Sequence, residues 1–255
     1  MNILMESWNL FLYLPLLNLL IAFYHLLFNN LGLAIIAITV LIKIVTYPLT
    51  KPSIIAAQKQ KELQPQIEKL KLKYKNKQEF AQKQMELFKQ NGINPVAGCL
   101  PQIIQFIVVI ALYRAFTDIL NSNGVLISEI NSLLYNFDYL KFANEAVLNT
   151  NFLYLNLAKA DQYYITPILS AASQFLLSKY MMKGTKKLEK VVKDTPDKKD
   201  DFMYNMQEQM MYMMPIMTLV IGISLPSGLV LYWFVSTLLA VFQYMILNKN
   251  KNGSK

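Results

Sequence analysis

Within the apolar stretch "ITVLIKIVTYPL" (residues 38–49) stands one cation, Lys43. Thr39, Lys43, Thr46 and Thr50 are spaced four, three and four residues apart, so on a helix they share one face. A lysine carried into hydrocarbon costs about 2.5–3.5 kcal/mol on insertion scales. Three arrangements lower that cost: snorkelling to the inner headgroups, pairing with a buried acid, or facing a wet cavity between helices. No other apolar span contains Asp or Glu in its interior. The neighbours favour the cavity. The second apolar run offers Gln102 and Gln105, the third Ser170, Ser173 and Gln174, and the last Ser236, Thr237 and Gln243. Each could equally serve as a hydrogen-bonding contact between helices. The chemistry such a set supports is electrostatic: attraction of an acidic group in a low-dielectric surround, without bond making.

Catalytic raw material is scarce. The chain has one cysteine, Cys99, and one histidine, His25, and no Gly-rich phosphate loop. A disulfide within the chain is excluded, and so is a thiolate-based zinc cluster. The expectation is a non-enzymatic protein with no metal and no cofactor.

The elements that position these residues are membrane spans. Of 255 residues, 54% are hydrophobic and 16% charged, and mean hydropathy is +0.29. Five runs approach the roughly 20 residues a bilayer demands: 31–50, 99–120, 163–182, and two within 208–247 separated by "LPSG" at 225–228. Lys43 then lies about 16 Å beyond Gly32 and about 12 Å short of Lys51, in the inner half of the bilayer. Ten lysines fall in 51–90 and seven in 183–199, whereas 121–162 holds only Lys141 and Lys159. The positive-inside rule puts the lysine-rich segments in the cytoplasm, the start of the first span outside and the C-terminus inside.

Residues 1–30 read as an N-terminal interfacial amphipathic helix, with Asn18, Ala22, His25 and Asn29 as a narrow polar stripe. A sixth span and a signal peptide are the alternatives for 10–28. Residues 51–98 read as a cytoplasmic helical hairpin: Pro65 opens one helix, "KNK" at 75–77 turns the chain, and Gly92 caps the second. Its faces, with Ile67, Leu70 and Tyr74 on one arm and Phe80, Leu87 and Phe88 on the other, could meet each other or the lipid surface. Its Lys59, Lys61, Lys69, Lys71, Lys73 and Tyr74 are either a solvated surface at anionic headgroups or a docking site for a partner or nascent chain. Residues 121–162 form an external segment, 183–207 a cytoplasmic linker and 248–255 a short basic tail. The seven methionines of 203–217 either fill a packed span or offer an adaptable apolar surface.

In order along the chain, "GLAIIAITVLIKIVTYPLT", "QPQIEKLKLKYKNK" with "GINPVAGCLPQIIQ", "FLYLNLAKADQYYITPIL" and "LPSGLVLYWFVSTLLAVFQYMIL" resemble the YidC-type membrane protein insertases, relatives of the Oxa and Alb proteins of organelles. The resemblance covers nearly the whole chain. It implies a five-span α-helical bundle in the bacterial inner membrane, with a hydrophilic groove open to cytoplasm and lipid but closed outside. It implies insertion of nascent membrane proteins without nucleotide hydrolysis, by a monomer that engages lipids and further partners such as the ribosome and Sec translocon, with no specific nucleic-acid recognition. The family usually carries arginine where this chain has Lys43; the charge remains but the planar five-donor fork is gone. The large outer domain of many Gram-negative members, a lipidated N-terminal cysteine and a long basic tail have no counterpart. Two other classes fit a charged membrane bundle: a small anion channel or transporter, and a passive scaffold for membrane-protein assembly.

Overall fold

The computed structural model describes residues 3–74, 76–94, 100–120, 127–143, 148–181 and 202–252. The linker at 183–201 and Cys99 lie outside them. The chain is built from α-helices: α1 (Ile3–Trp8), α2 (Leu14–Leu26), α3 (Leu31–Glu62), α4 (Gln64–Lys73), α5 (Lys77–Gln90), α6 (Leu100–Leu120), α7 (Ile127–Leu133), α8 (Ile165–Met181), α9 (Phe202–Ser224) and α10 (Ser227–Asn252). A π-helical turn at Asn9–Tyr13 joins α1 to α2. The segment between α6 and α8 adds a minimal β-hairpin, β1 (Asn151–Phe152) and β2 (Leu155–Asn156), with Phe152 opposite Leu155.

Among the described residues, four helices are long and apolar enough to cross a membrane: Met5–Leu26, Leu31–Gln60, Leu100–Asp118 and Ser227–Asn248. The expected third span is α8, with 17 residues, and the apolar part of α9 is the shorter Tyr212–Ser224. The helix that carries the expected first span does not stop near residue 50. Helix α3 runs unbroken for 32 residues through Pro48 and Pro52, so the lysine-rich region begins as a continuation of the span. Helix α9 likewise begins at Phe202, inside the stretch expected to be linker.

The apolar core gathers at one end of the bundle. On α3 it takes Leu31, Ala34, Ile35 and Ile38; on α6, Val108, Ala111, Leu112, Ala115 and Phe116; on α10, Leu229, Leu231 and Tyr232. The segment between α6 and α8 packs onto this end through Ile130, Leu134, Leu140, Phe142, Leu155 and Leu157. It also binds the α9–α10 turn by backbone: the Ser227 N–H donates to the Lys159 carbonyl (2.7 Å), and Gly228 N–H to the Leu157 carbonyl (3.1 Å). At Gly32 an added Cβ would fall 2.1 Å from the Phe152 ring, so glycine is what lets the β-hairpin close over the start of α3.

Helix α2 is held at the same end. Tyr13 donates to Asp118 Oδ2 (2.6 Å), Arg114 Nη1 donates to Asn9 Oδ1 (2.7 Å), and the Asn149 N–H donates to the Tyr24 hydroxyl (2.9 Å). The polar stripe is only partly turned from water: Asn29 is exposed, but Asn18 is buried, donating to the Leu133 carbonyl and accepting from the Tyr135 N–H, and His25 lies against the Phe142 ring. Asn18 and His25 thus dock the segment between α6 and α8.

At the other end, α4 and α5 make a hairpin with its own small core of Leu63, Ile67, Phe88 and Ile93, flanked by Phe80 and Leu87. Of the two arrangements open to its apolar faces, these residues meet each other. Asn76 caps α5 by accepting from the Gln78 N–H (3.0 Å). Gly92, at φ +63°, ends it. The Gly92 and Ile93 N–H groups donate to the Lys89 and Phe88 carbonyls, the paired bonds of a Schellman motif, with Ile93 packed on Phe88.

Candidate functional site

Along α3 the expected polar face runs from closed to open. Thr39 is buried among the core helices, while Lys43, Thr46 and Thr50 are half-buried. Each threonine returns its hydroxyl to its own helix: Thr39 to the Ile35 carbonyl, Thr46 to Ile42 (2.7 Å) and Thr50 to Tyr47 (3.2 Å). Their donors are therefore occupied, and what they offer the groove is acceptor lone pairs and small size. Lys43 has no carboxylate partner among the described residues; the influence on it is burial alone. Buried pairing, one of the three arrangements open to it, is absent there.

Helices α6 and α10 meet in a polar contact. Ser236 donates to Gln105 Oε1 (2.8 Å), and the Tyr232 hydroxyl shares hydrogen bonds with both. Ser236 and Thr237 are buried, and Gln102 is half-buried. The Gln105 amide nitrogen is buried without a partner in the described structure, as is the Tyr244 hydroxyl one helix face further in. Tyr232 was not singled out from sequence, although its place one turn before Ser236 is a readable signal.

The remaining expected lining residues are on α10 and α8. Gln243 joins Ile44, Tyr47 and Ile246 around an apolar recess of about 230 Å3 between α3 and α10. On α8, Ser170, Ser173 and Gln174 are buried; Ser170 donates to the Val230 carbonyl (3.3 Å). This face serves as helix–helix contact, and Pro167 against Gly222 (3.3 Å to an added Cβ) extends it to α9.

The packing is asymmetric. Past Ile38 on α3, residues Val40, Ile44, Val45 and Leu49 are exposed; before Val108 on α6, so are Leu100, Ile103, Phe106 and Ile107. The main apolar core on α3 stops at Ile38; beyond it apolar residues of α3 are exposed, although Ser53 and Gln58 are buried further along. Lys43 lies just past Ile38.

A family model described as "60Kd inner membrane protein" matches residues 22–254. This chain belongs to that family, that of the YidC-type insertases. Among its relatives are proteins called "Membrane protein insertase YidC" in Fusobacterium nucleatum, 37% identical over 87% of this chain and 88% of the relative, and in Geobacter sulfurreducens, 33% identical over 96% of this chain but 38% of the longer relative. "Membrane protein insertase MisCA" of Bacillus subtilis is 29% identical over 94% and 78%. The chain is thus an all-α, multi-pass membrane protein of the YidC family. The expected family and fold class stand.

On the hairpin, Lys59, Lys69 and Lys73 are exposed, and Lys71 and Tyr74 half-buried. The Lys73 ammonium lies 5.4 Å from the Tyr74 ring centroid, a cation–π contact. Lys61 lies in α3 near its end; its side chain is outside the description.

Proposed function

We propose that this protein is a membrane protein insertase. It receives a newly made hydrophobic segment in a positively charged, hydrophilic groove between α3, α6 and α10, and releases it sideways into lipid without nucleotide hydrolysis. The observation that carries this reading is Lys43 just past the point where the apolar core stops on α3 at Ile38, with no carboxylate partner among the described residues and with exposed Ile44, Val45 and Leu49 beside it. The names of the relatives support the same activity.

In this reading the hairpin end is cytoplasmic and the external segment outside. Helix α2 lies in the outer interface, because Asn9, Tyr13, Asn18 and Tyr24 all bond to groups at the closed end. A client's short acidic tail enters the groove from inside. Lys43 attracts it, and the polar contact of Gln105 with Ser236 gives the wall between α6 and α10 its hydrogen-bonding groups. These groups replace part of the tail's hydration, and the recess shortens the dry path that remains. Burial of the client's apolar helix then drives release, at about 25 cal/mol per Å2 of apolar surface. One copy suffices for each step. Ribosome and Sec translocon are further partners in this scheme, and the compartment is the bacterial inner membrane, with the C-terminus in the cytoplasm.

The test is insertion of several small acidic-tailed clients by Lys43→Arg, Lys43→Ala and Lys43→Glu variants in vesicles. A partly hydrated charge pair is worth about 1–2 kcal/mol, roughly five- to thirtyfold in rate. Arg is expected to retain activity, Ala to lose it by that factor, and Glu to abolish it. Full activity with Glu would remove the electrostatic role. Solute flux through the purified protein would instead favour a channel.

A further inference from the structure

Two apolar side chains stand on left-handed backbone: Phe28 (φ +60°) in the α2–α3 turn and Leu153 (φ +53°) at the tip of the β1–β2 hairpin. Both stand clear of the protein, 89% and 85% exposed. Leu153 is the first of the two turn residues, a place that glycine usually takes when φ is positive. A left-handed residue with a side chain is strained, and an apolar side chain standing in water returns nothing for that strain.

The fold places both beside the end of a span. The Phe152 ring lies against Gly32 in the first turn of α3, so the hairpin tip sits next to the start of a helix long and apolar enough to cross a membrane. Phe28 lies four residues before Gly32, in the turn where the Asn30 N–H donates to the Leu27 carbonyl (3.1 Å). From there Leu33, Val40 and Ile44, seven and four residues apart, carry an exposed apolar strip along α3. The hairpin is a firm mount. Its Leu157 N–H donates to the Thr150 carbonyl (2.8 Å), and Leu155 and Leu157 are in the core. No Asp, Glu, Lys or Arg occurs between Glu6 and Lys43 or between Glu145 and Lys159.

We propose that Phe28 and Leu153 are a paired anchor that dips into the phospholipid leaflet opposite the α4–α5 hairpin, whether or not the chain inserts clients. The occupant is the acyl region just beneath the headgroups, because the two side chains extend the exposed apolar strip of α3. Burying them there outweighs the strain of their turns. Tyr154 and Tyr163, exposed and with ring centroids 6.0 Å apart, suit the headgroup level above. A second copy of the chain fits less well: two knobs beside a span offer little area, and the bilayer around α3 already reaches them.

The test uses the full chain in phosphatidylcholine nanodiscs, one chain per disc. Leu153→Cys, Phe28→Cys and Lys141→Cys, each in a Cys99→Ser background, carry an environment-sensitive fluorophore. Lys141 is an exposed charge on the same segment as Leu153. Spin-labelled lipid with the label about 5–10 Å below the headgroups is expected to quench positions 153 and 28, and aqueous iodide to quench 141. Leu153→Gly separates lipid contact from turn strain, with no fluorophore present. Were strain the only term, glycine would slow hydrogen exchange at the Leu157 N–H. With the anchor seated in lipid, exchange there is expected to rise about fivefold, since more contact is lost than strain relieved. Iodide quenching at 153 or 28 as strong as at 141, or exchange that slows or stays the same in Leu153→Gly, would overturn the proposal. So would loss of lipid quenching in discs that hold two chains, which would assign the tip to a second copy. No client is present in any arm, so a failed insertion assay leaves this result standing.

Discussion

Asp161 shows how much one residue of the external segment does. It is buried and accepts four hydrogen bonds: from the Thr166 N–H (2.7 Å) and hydroxyl (2.9 Å), the Tyr163 N–H (3.0 Å) and the Tyr154 hydroxyl (3.0 Å). The Thr166 N–H is one of the donors that the first turn of α8 leaves unpaired, so the carboxylate starts that helix. It also stabilises the strained approach through Tyr164, at φ +58°. Burial pushes its pKa up, but the two backbone and two side-chain donors together outweigh it and hold the carboxylate below its ordinary range. Tyr154 moves the other way, pushed up to about 12 by desolvation and by its bond to the carboxylate. A lowered folded-state pKa means that this stabilisation is complete above about pH 4, the unfolded value, and is lost as pH falls from there through the folded value. Asp161→Asn is expected to cost about 2 kcal/mol and to flatten the acid limb of the stability curve. Thermal unfolding in detergent between pH 3 and 7 checks both; an unchanged acid limb would show that Asp161 does not control it. Lys43 was legible from sequence because a lone charge in an apolar run is costly. Asp161 was not, because an aspartate in a polar loop has many uses and only the fold supplies its four donors.

At the scale of elements, two closures depend on glycines. Gly92 ends α5 with a positive φ that a side chain resists by about 1–2 kcal/mol. Gly92→Ala is expected to loosen the Ile93–Phe88 contact and so raise hydrogen exchange across the hairpin, leaving α6 and α10 unchanged. Exchange confined to α5 alone would mean that the two arms do not stabilise each other. Gly32 admits the Phe152 ring. Gly32→Ala must displace that ring and is expected to destabilise the outer closure by about 1–3 kcal/mol; Phe152→Ala in the same chain is expected to restore part of the loss, a coupling seen in a double-mutant cycle. The sequence announced the Gly92 cap through its position after an amphipathic stretch. It did not announce Gly32, whose requirement comes from a hairpin 120 residues away. Local signals likewise placed the starts of α4 and α5, whereas the continuation of α3 past residue 50 was not legible. Pro48 and Pro52 lie inside it, and their local cost is outweighed by the long helix around them, which runs unbroken to Glu62.

For the whole molecule, the decisive property is that the main apolar core lies at one end of the bundle and stops on α3 at Ile38. A sequence reveals which helix faces are polar but not where helices part, and the interfacial or spanning status of residues 10–28 turns on tertiary bonds at the closed end. The proposed wet groove makes a graded forecast. Single cysteines are placed at Ile38, Lys43, Thr46 and Thr50 in a Cys99→Ser background and treated with a membrane-impermeant maleimide. The reagent consumes thiolate, which forms only where water reaches the sulfur. From the cytoplasmic side, reactivity is expected to fall in the order 50, 46, 43, with position 38 inert, because Ile38 is sealed in the core while the others are half-exposed. From the outside all four are expected to be inert, since the external segment seals that end. A client stalled in the groove should then protect positions 43 and 46 more than position 50. Inertness at 43 and 46 from both sides would place them in acyl chains, leave Lys43 without its water, and remove the physical basis for the insertion step. Reactivity at 43 from both sides would instead describe an open pore, which the channel reading requires and the packed outer end argues against.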